Sequence, residues 1–239
     1  MILSTGETCF TFFCGSIARE LVILMGINMY GLLLKDIYNL RKYVKQISIS
    51  VVVFGLFAIN LKNPAYLIGM ITMMTSMMVI TSMSYDEYAK WDKYALTMPI
   101  LKKDIVLSKY LLLILSTLAG TVSSTILALI MTAFMKLQSL IEILLTSGIV
   151  ALIMLLLFSL LIPVLYKYGV EKARIIMFAV IGIPILAATL FIKLMIKLNI
   201  PKPSMEQLEM LGYAFPVIVL IVLFLSYNIS VKIFNKKEL

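Results

Sequence analysis

The sequence contains no histidine. That removes histidine acid–base catalysis, histidine metal ligands and histidine pH switches at once. Charge is scarce too: Asp, Glu, Lys and Arg make up 14% of the 239 residues, against about 25% in an ordinary soluble domain. Two cysteines, Cys9 and Cys14, form neither a disulfide framework nor paired metal-ligand motifs. No G-x-x-x-x-G-K-[ST] phosphate loop occurs, so the chain reads as one that does not hydrolyse ATP by itself.

What it has instead is apolar length. Hydrophobic residues make up 62% and the mean hydropathy is +1.05, an excess that one soluble core cannot hide and that makes lipid the solvent for much of the chain. The apolar runs are continuous Leu, Ile, Val and Met, whereas membrane β-strands alternate apolar with polar residues. The fold class expected is therefore all-α and polytopic, with six transmembrane helices at about 44–61, 64–83, 108–134, 140–165, 175–195 and 211–229. With the N-terminus inside, 16 of the 21 Lys and Arg residues fall in cytoplasmic segments, which places both termini in the cytoplasm. The net charge of +9 then reports on topology and lipid headgroups, not on nucleic acid. Residues 1–28 have no basic stretch ahead of their apolar one and make a poor signal peptide. They read as an upstream start, with translation from Met25 or Met29, or as an extra interfacial helix.

Four segments could carry function. Residues 30–45 read as an amphipathic surface helix, with Leu33, Ile37, Leu40 and Val44 on one stripe and Lys35, Arg41, Lys42 and Lys45 able to reach headgroups; alternatively they are only the basic flank of the first span. In the loop 84–109, Ser84 and Glu87 have capping-box spacing, so a helix is expected to start there, with an Asp86–Lys90 pair and an end at Pro99. Its aromatics Tyr85, Tyr88, Trp91 and Tyr94 recur every three residues among Asp92, Lys93 and other charges. That pattern suits a protein-docking face and equally an interfacial aromatic belt. Met70, Met73, Met74, Met77 and Met78 share a face of the second span, opposite Thr72, Thr75 and Ser76. A thioether face suits cargo of variable shape, or is simply lipid-facing. Ser116, Gly120, Ser124 and Ala128 form a small-residue stripe on the third span, which calls for a close helix contact within one chain or between two. Between the last two spans, 193–212 reads as short outer helices around Pro201 and Pro203. Ionisable groups near the bilayer are expected only at Glu142 and Lys193, which argues against proton-coupled transport or intramembrane catalysis.

Two stretches resemble a known family. Residues 29–45 (MYGLLLKDIYNLRKYVK) are similar to the opening of ABC-2 type permeases from Gram-positive bacteria, and 84–110, with DEYAKWDKYALTMP followed by KKDIVLSKY, to their loop between spans two and three. The likeness extends over 29–239 and leaves out 1–28. It implies a permease in the bacterial cell membrane, paired with separate ABC ATPase subunits that hold ATP and Mg, and with a second permease copy or a paralogue; no cofactor is implied for this chain. Residues 30–44 would be an elbow helix. The segment after Ser84 would be the coupling helix, with Tyr85, Asp86, Glu87, Tyr88, Trp91, Asp92, Lys93 and Tyr94 meeting the ATPase. Within the family the chain looks most like permeases of the phenol-soluble modulin exporter. That implies amphipathic peptide cargo, passing Met70, Met73, Met74 and Met77; related permeases serve peptide-antibiotic immunity or sensing.

Overall fold

The computed structural model describes residues 27–98, 100–135, 139–197 and 205–236, and among them every regular element is a helix. In chain order these are α1 (Ile27–Leu40), α2 (Val44–Leu61), α3 (Pro64–Ser76), α4 (Met78–Tyr88), α5 (Trp91–Ala95), α6 (Lys102–Met135), α7 (Leu140–Tyr168), α8 (Val170–Lys197) and α9 (Met205–Lys236).

Local chemistry sets the breaks. Lys62 takes the left-handed conformation (φ 51°) that ends α2, and Asn63 then accepts a hydrogen bond from the Ala65 amide while Pro64 fills the first helical position, where no amide partner is needed. A capping box between Ser139 and Glu142 opens α7, so Glu142 serves as a helix cap. Met77 alone separates α3 from α4, and the two act as one apolar rod, 64–88.

α6 is the central post, touching α1, α3, α4, α7 and α9. The main core gathers at one end of it, from Leu33 and Ile37 of α1, Val79 and Met83 of α4, Val106 and Leu113 of α6, Leu161 and Leu165 of α7, and Phe234 of α9. Outward faces carry large apolar side chains in the open, among them Val52, Leu56 and Phe57 of α2 and Leu220 and Phe224 of α9, as lipid-facing surfaces do.

Several polar groups inside the bundle pair across helices. Pro163 lies within α7 and offers no amide to the Ser159 carbonyl one turn back. That carbonyl accepts from the Ser226 hydroxyl of α9 at 2.5 Å. The Tyr110 hydroxyl of α6 stands 2.6 Å from Ser226 Oγ and 2.9 Å from Ser230 Oγ, closing a chain across three helices. Ser226→Ala should strand the Ser159 carbonyl and lower the unfolding midpoint in detergent, by a loss of about 1–3 kcal/mol.

Several expectations change. Among the described residues four helices are long and apolar enough to span a membrane, 64–88, 102–134, 140–168 and 214–236, and a fifth counts only if 31–43 and 45–61 are taken together across a 55° bend. α2 covers the expected first span but qualifies only in that company, and α8, which contains the expected fifth, is not among the four. The amphipathic helix stops at Leu40, and a short 3-10 turn, Arg41–Tyr43, leads into α2. Its stripe of Leu33, Ile37 and Leu40 is buried in the protein core, where a position on the membrane surface was expected, and Lys35, expected at headgroups, pairs with Asp36 and Asp86 instead. No helix starts at Ser84: α4 runs through to Tyr88, Lys90 turns left-handed (φ 50°), and α5 begins at Trp91. Of 1–28, only Ile27 and Asn28 fall in the described helix; Pro99, Pro201 and Pro203 lie outside the described residues, and the described flanks of the expected outer segment 193–212 belong to α8 and α9.

Candidate functional site

Three charged residues occupy positions on apolar stripes. On α1, Asp36 follows Leu33 by three residues and precedes Leu40 by four. On α4, Asp86 continues the buried series Val79, Ser82, Met83. On α6, Lys109 stands one turn from Ile105 and one turn from Leu113. Helical spacing turns each charge inward with its stripe, and the three meet.

Lys109 Nζ lies 2.7 Å from Asp36 Oδ2, 2.5 Å from Asp86 Oδ2 and 2.8 Å from Ser82 Oγ. Its side chain is 4% exposed and that of Asp36 is 1% exposed. Lys35 approaches from the rim, 2.6 Å from Asp86 Oδ1 and 3.2 Å from Asp36 Oδ1. Two cations and two carboxylates balance, as a buried charge set must. Lys35 Nζ also sits 4.3 Å from the Trp91 ring centroid, so α5 is fastened over the node by a cation–π contact.

Glu87 makes a second fastening. Its Oε2 accepts from the Val170 amide at 2.6 Å, satisfying the first turn of α8. Gly169 (φ 78°) comes so close that a Cβ there would lie 2.6 Å from Glu87 Oε1. Behind it, Tyr166, Asp86, Glu87, Asp92 and Lys109 border a cavity of about 30 Å³, and the buried Tyr166 hydroxyl has no hydrogen-bond partner among the described residues.

The expected docking residues therefore divide. Asp86 faces inward, on Lys35 and Lys109, while the exposed Glu87 turns its carboxylate to the Val170 amide, and the Asp86–Lys90 pair gives way to these partners. Asp92 is half-buried at the cavity, and Trp91 is half-buried beneath Lys35. The Tyr85 hydroxyl lies 2.9 Å from that of Tyr43. Tyr88 (71% exposed) and Tyr94 (57%) stand in the open with Lys90 and Lys93.

The methionines divide as well. Met70 is exposed and Met73 half-buried. Met74 and Met77 line a groove with Tyr43, Gln46, Ile47 and Ser50. It adjoins, at Met77 and Thr81, a larger one of about 470 Å³ bordered by Tyr85, Tyr88 and Phe178. The small-residue stripe packs within the chain: Gly120 against Thr75, Ser124 beside Thr72 at 3.3 Å, and Ala128 with Ile68 and Ile143. Ser116 is buried and bonds the Leu113 carbonyl. Sequence reasoning misses Lys109 and Asp36 as site residues, because composition places one in a basic loop and the other on a surface helix, and only their register on apolar stripes marks them.

A family profile described as ABC-2 family transporter protein matches residues 31–235, from the helix that carries Asp36 to the last turn of α9. The chain belongs to the ABC-2 transporter family. No curated protein and no solved structure matches it. As an ABC-2 permease it is a multi-pass membrane component of a transporter, and membership implies ABC ATPase partners. In this ABC-2 permease the charge node lies directly behind the exposed Tyr88–Tyr94 face.

Proposed function

We propose that the chain is the permease of an ATP-driven exporter for amphipathic or hydrophobic peptides. It docks its ATPase through Tyr88, Lys90, Lys93 and Tyr94, with both termini on the ATPase side, and works with a second permease copy. The observation that carries this reading is the open aromatic and cationic face backed by a buried charge set. Exposed tyrosines among charges are the usual anchors of protein interfaces, and a rigid backing lets a push on them reach other helices. The lysine and arginine distribution supports the orientation. The groove along Met74 and Met77 supports the cargo class: its bordering residues are uncharged, and thioethers adapt to varied apolar shapes.

Replacing Tyr88 and Tyr94 together with Ala should weaken ATPase docking at least about tenfold, since an interface aromatic anchor is worth about 2 kcal/mol or more. Trp91 is the poorer choice, because its loss also uncovers Lys35. The measurement is the amount of ATPase that co-purifies, together with cargo-stimulated ATP hydrolysis in proteoliposomes. Undiminished co-purification would remove the docking assignment. Peptide that binds the native complex without accumulating across the membrane would point to an immunity or sensing subunit.

A further inference from the structure

We infer that the charge node is a two-pair coupling switch in which Lys109 is the positioning residue, an inference that rests on the ATPase-docking reading above. The geometry divides the four charges into two neutral pairs. The inner pair, Lys109 and Asp36, is almost wholly enclosed and ties α6 to α1. The outer pair, Lys35 and Asp86, is 23% and 10% exposed and ties α1 to the tip of α4. Only one short contact joins α6 to the α4 tip within the set, Lys109 to Asp86 at 2.5 Å.

A set built this way can part along one line. If the α4 tip is drawn outward, Asp86 leaves Lys109 and the long Lys35 side chain follows it toward water. Lys109 stays neutralised by Asp36 and bonded to Ser82, so neither half strands a buried charge. The part that moves carries the exposed aromatics: Tyr88 is two residues beyond Asp86, and α5 is fastened through Trp91 to Lys35. Glu87 moves with the same tip and passes the displacement to the start of α8 through the Val170 amide. The part that stays is the α1–α6 pair. A displacement received at Tyr88 and Tyr94 thus opens the α4 tip beyond Ser82, with α5, from α6 and shifts α8, while α1 keeps its place. Two discrete arrangements with matched charge are what a conformational switch requires.

The test uses the complete permease with its ATPase in nanodiscs. Spin labels go at Asn39 of α1 and Thr97 after α5, both exposed, with Cys9 and Cys14 replaced. Electron-electron distance distributions are recorded without nucleotide and with ATP and vanadate. The native pair should change its distance with nucleotide. Asp86→Asn, which removes the breakable contact and keeps the inner pair, should stay assembled, rest in the nucleotide-bound distribution and no longer respond. Asp86→Glu should restore a response, which a merely structural carboxylate would not need to do. If Asp86→Asn switches with nucleotide as the native chain does, the switch is overturned and the docking reading stands. If the native complex shows no nucleotide-dependent change although the ATPase co-purifies, the switch falls and the docking reading stands.

Discussion

Asp36→Leu should cost the permease most of its folded yield in detergent, and a second change, Lys109→Met, should bring it back. The argument is charge balance. Asp36 is 1% exposed and shares the node with Lys109, Lys35 and Asp86. Removing its charge leaves two ammonium groups facing one carboxylate, and Lys109, 4% exposed, cannot reach water. An uncompensated buried charge costs about 3–5 kcal/mol, a large share of a total stability of about 5–15 kcal/mol. In Asp36→Leu/Lys109→Met the inner pair is gone, the Leu and Met side chains fill the space of the carboxylate and the lysine stem, and the neutral Lys35–Asp86 pair remains at the rim. Replacing a buried pair with apolar groups of similar volume is often close to neutral. Thermal unfolding in detergent, read as the loss of monodisperse protein, should rank native and double variant together and the single variant far below. A single variant as stable as native would mean that water reaches Lys109, and the enclosed node would have to be given up.

The same node marks where the sequence was readable. The break between α2 and α3 follows from Lys62, Asn63 and Pro64, because a left-handed cap, an Asx cap and a proline at the first helical position act through near neighbours. The stripe from Ser116 to Ala128 was also plain, since small residues at four-residue spacing demand a close partner; its partner, α3, was not, since pairing two helices is a tertiary fact. The charges misled for a physical reason. Lys109 stands in a basic stretch, after Lys102 and Lys103, and composition alone assigns it to solvent. Its position one turn from Ile105 and Leu113 assigns it to the core, and the register prevailed over composition. Asp36 on the Leu33–Leu40 stripe and Asp86 on the Val79–Met83 stripe carried the same signal. A lone charge on an apolar stripe is costly unless paired, so three of them, two acidic and one basic, are matched by the sequence pattern alone. Ser84 and Glu87 illustrate the converse: a correct capping-box spacing with no helix start, because α4 was already formed and Glu87 found an amide of α8 instead.

Gly120→Val should disrupt the contact between α3 and α6. A Cβ at Gly120 would lie 1.8 Å from Thr75 Oγ1 and 2.8 Å from Thr75 Cβ, so rotating the threonine does not relieve the clash. Its hydroxyl is also committed, to the Ile71 and Thr72 carbonyls. The helices must separate, and on either side of Gly120 their separation strains Thr72 with Ser124 at 3.3 Å and Ser76 with Thr117 at 3.0 Å. Overpacking and two weakened interhelical bonds together cost about 2–4 kcal/mol, read as a fall in the unfolding midpoint. Gly120→Ala decides the cause. Alanine is the better helix former by about 1 kcal/mol, so without the close contact this change would stabilise α6, whereas with it the protein should be destabilised. Adding Thr75→Gly to Gly120→Ala removes the atoms that clash while placing a poorer helix former in α3. Recovery in that double variant, against the direction of intrinsic propensity at position 75, can come only from space returned between the two helices.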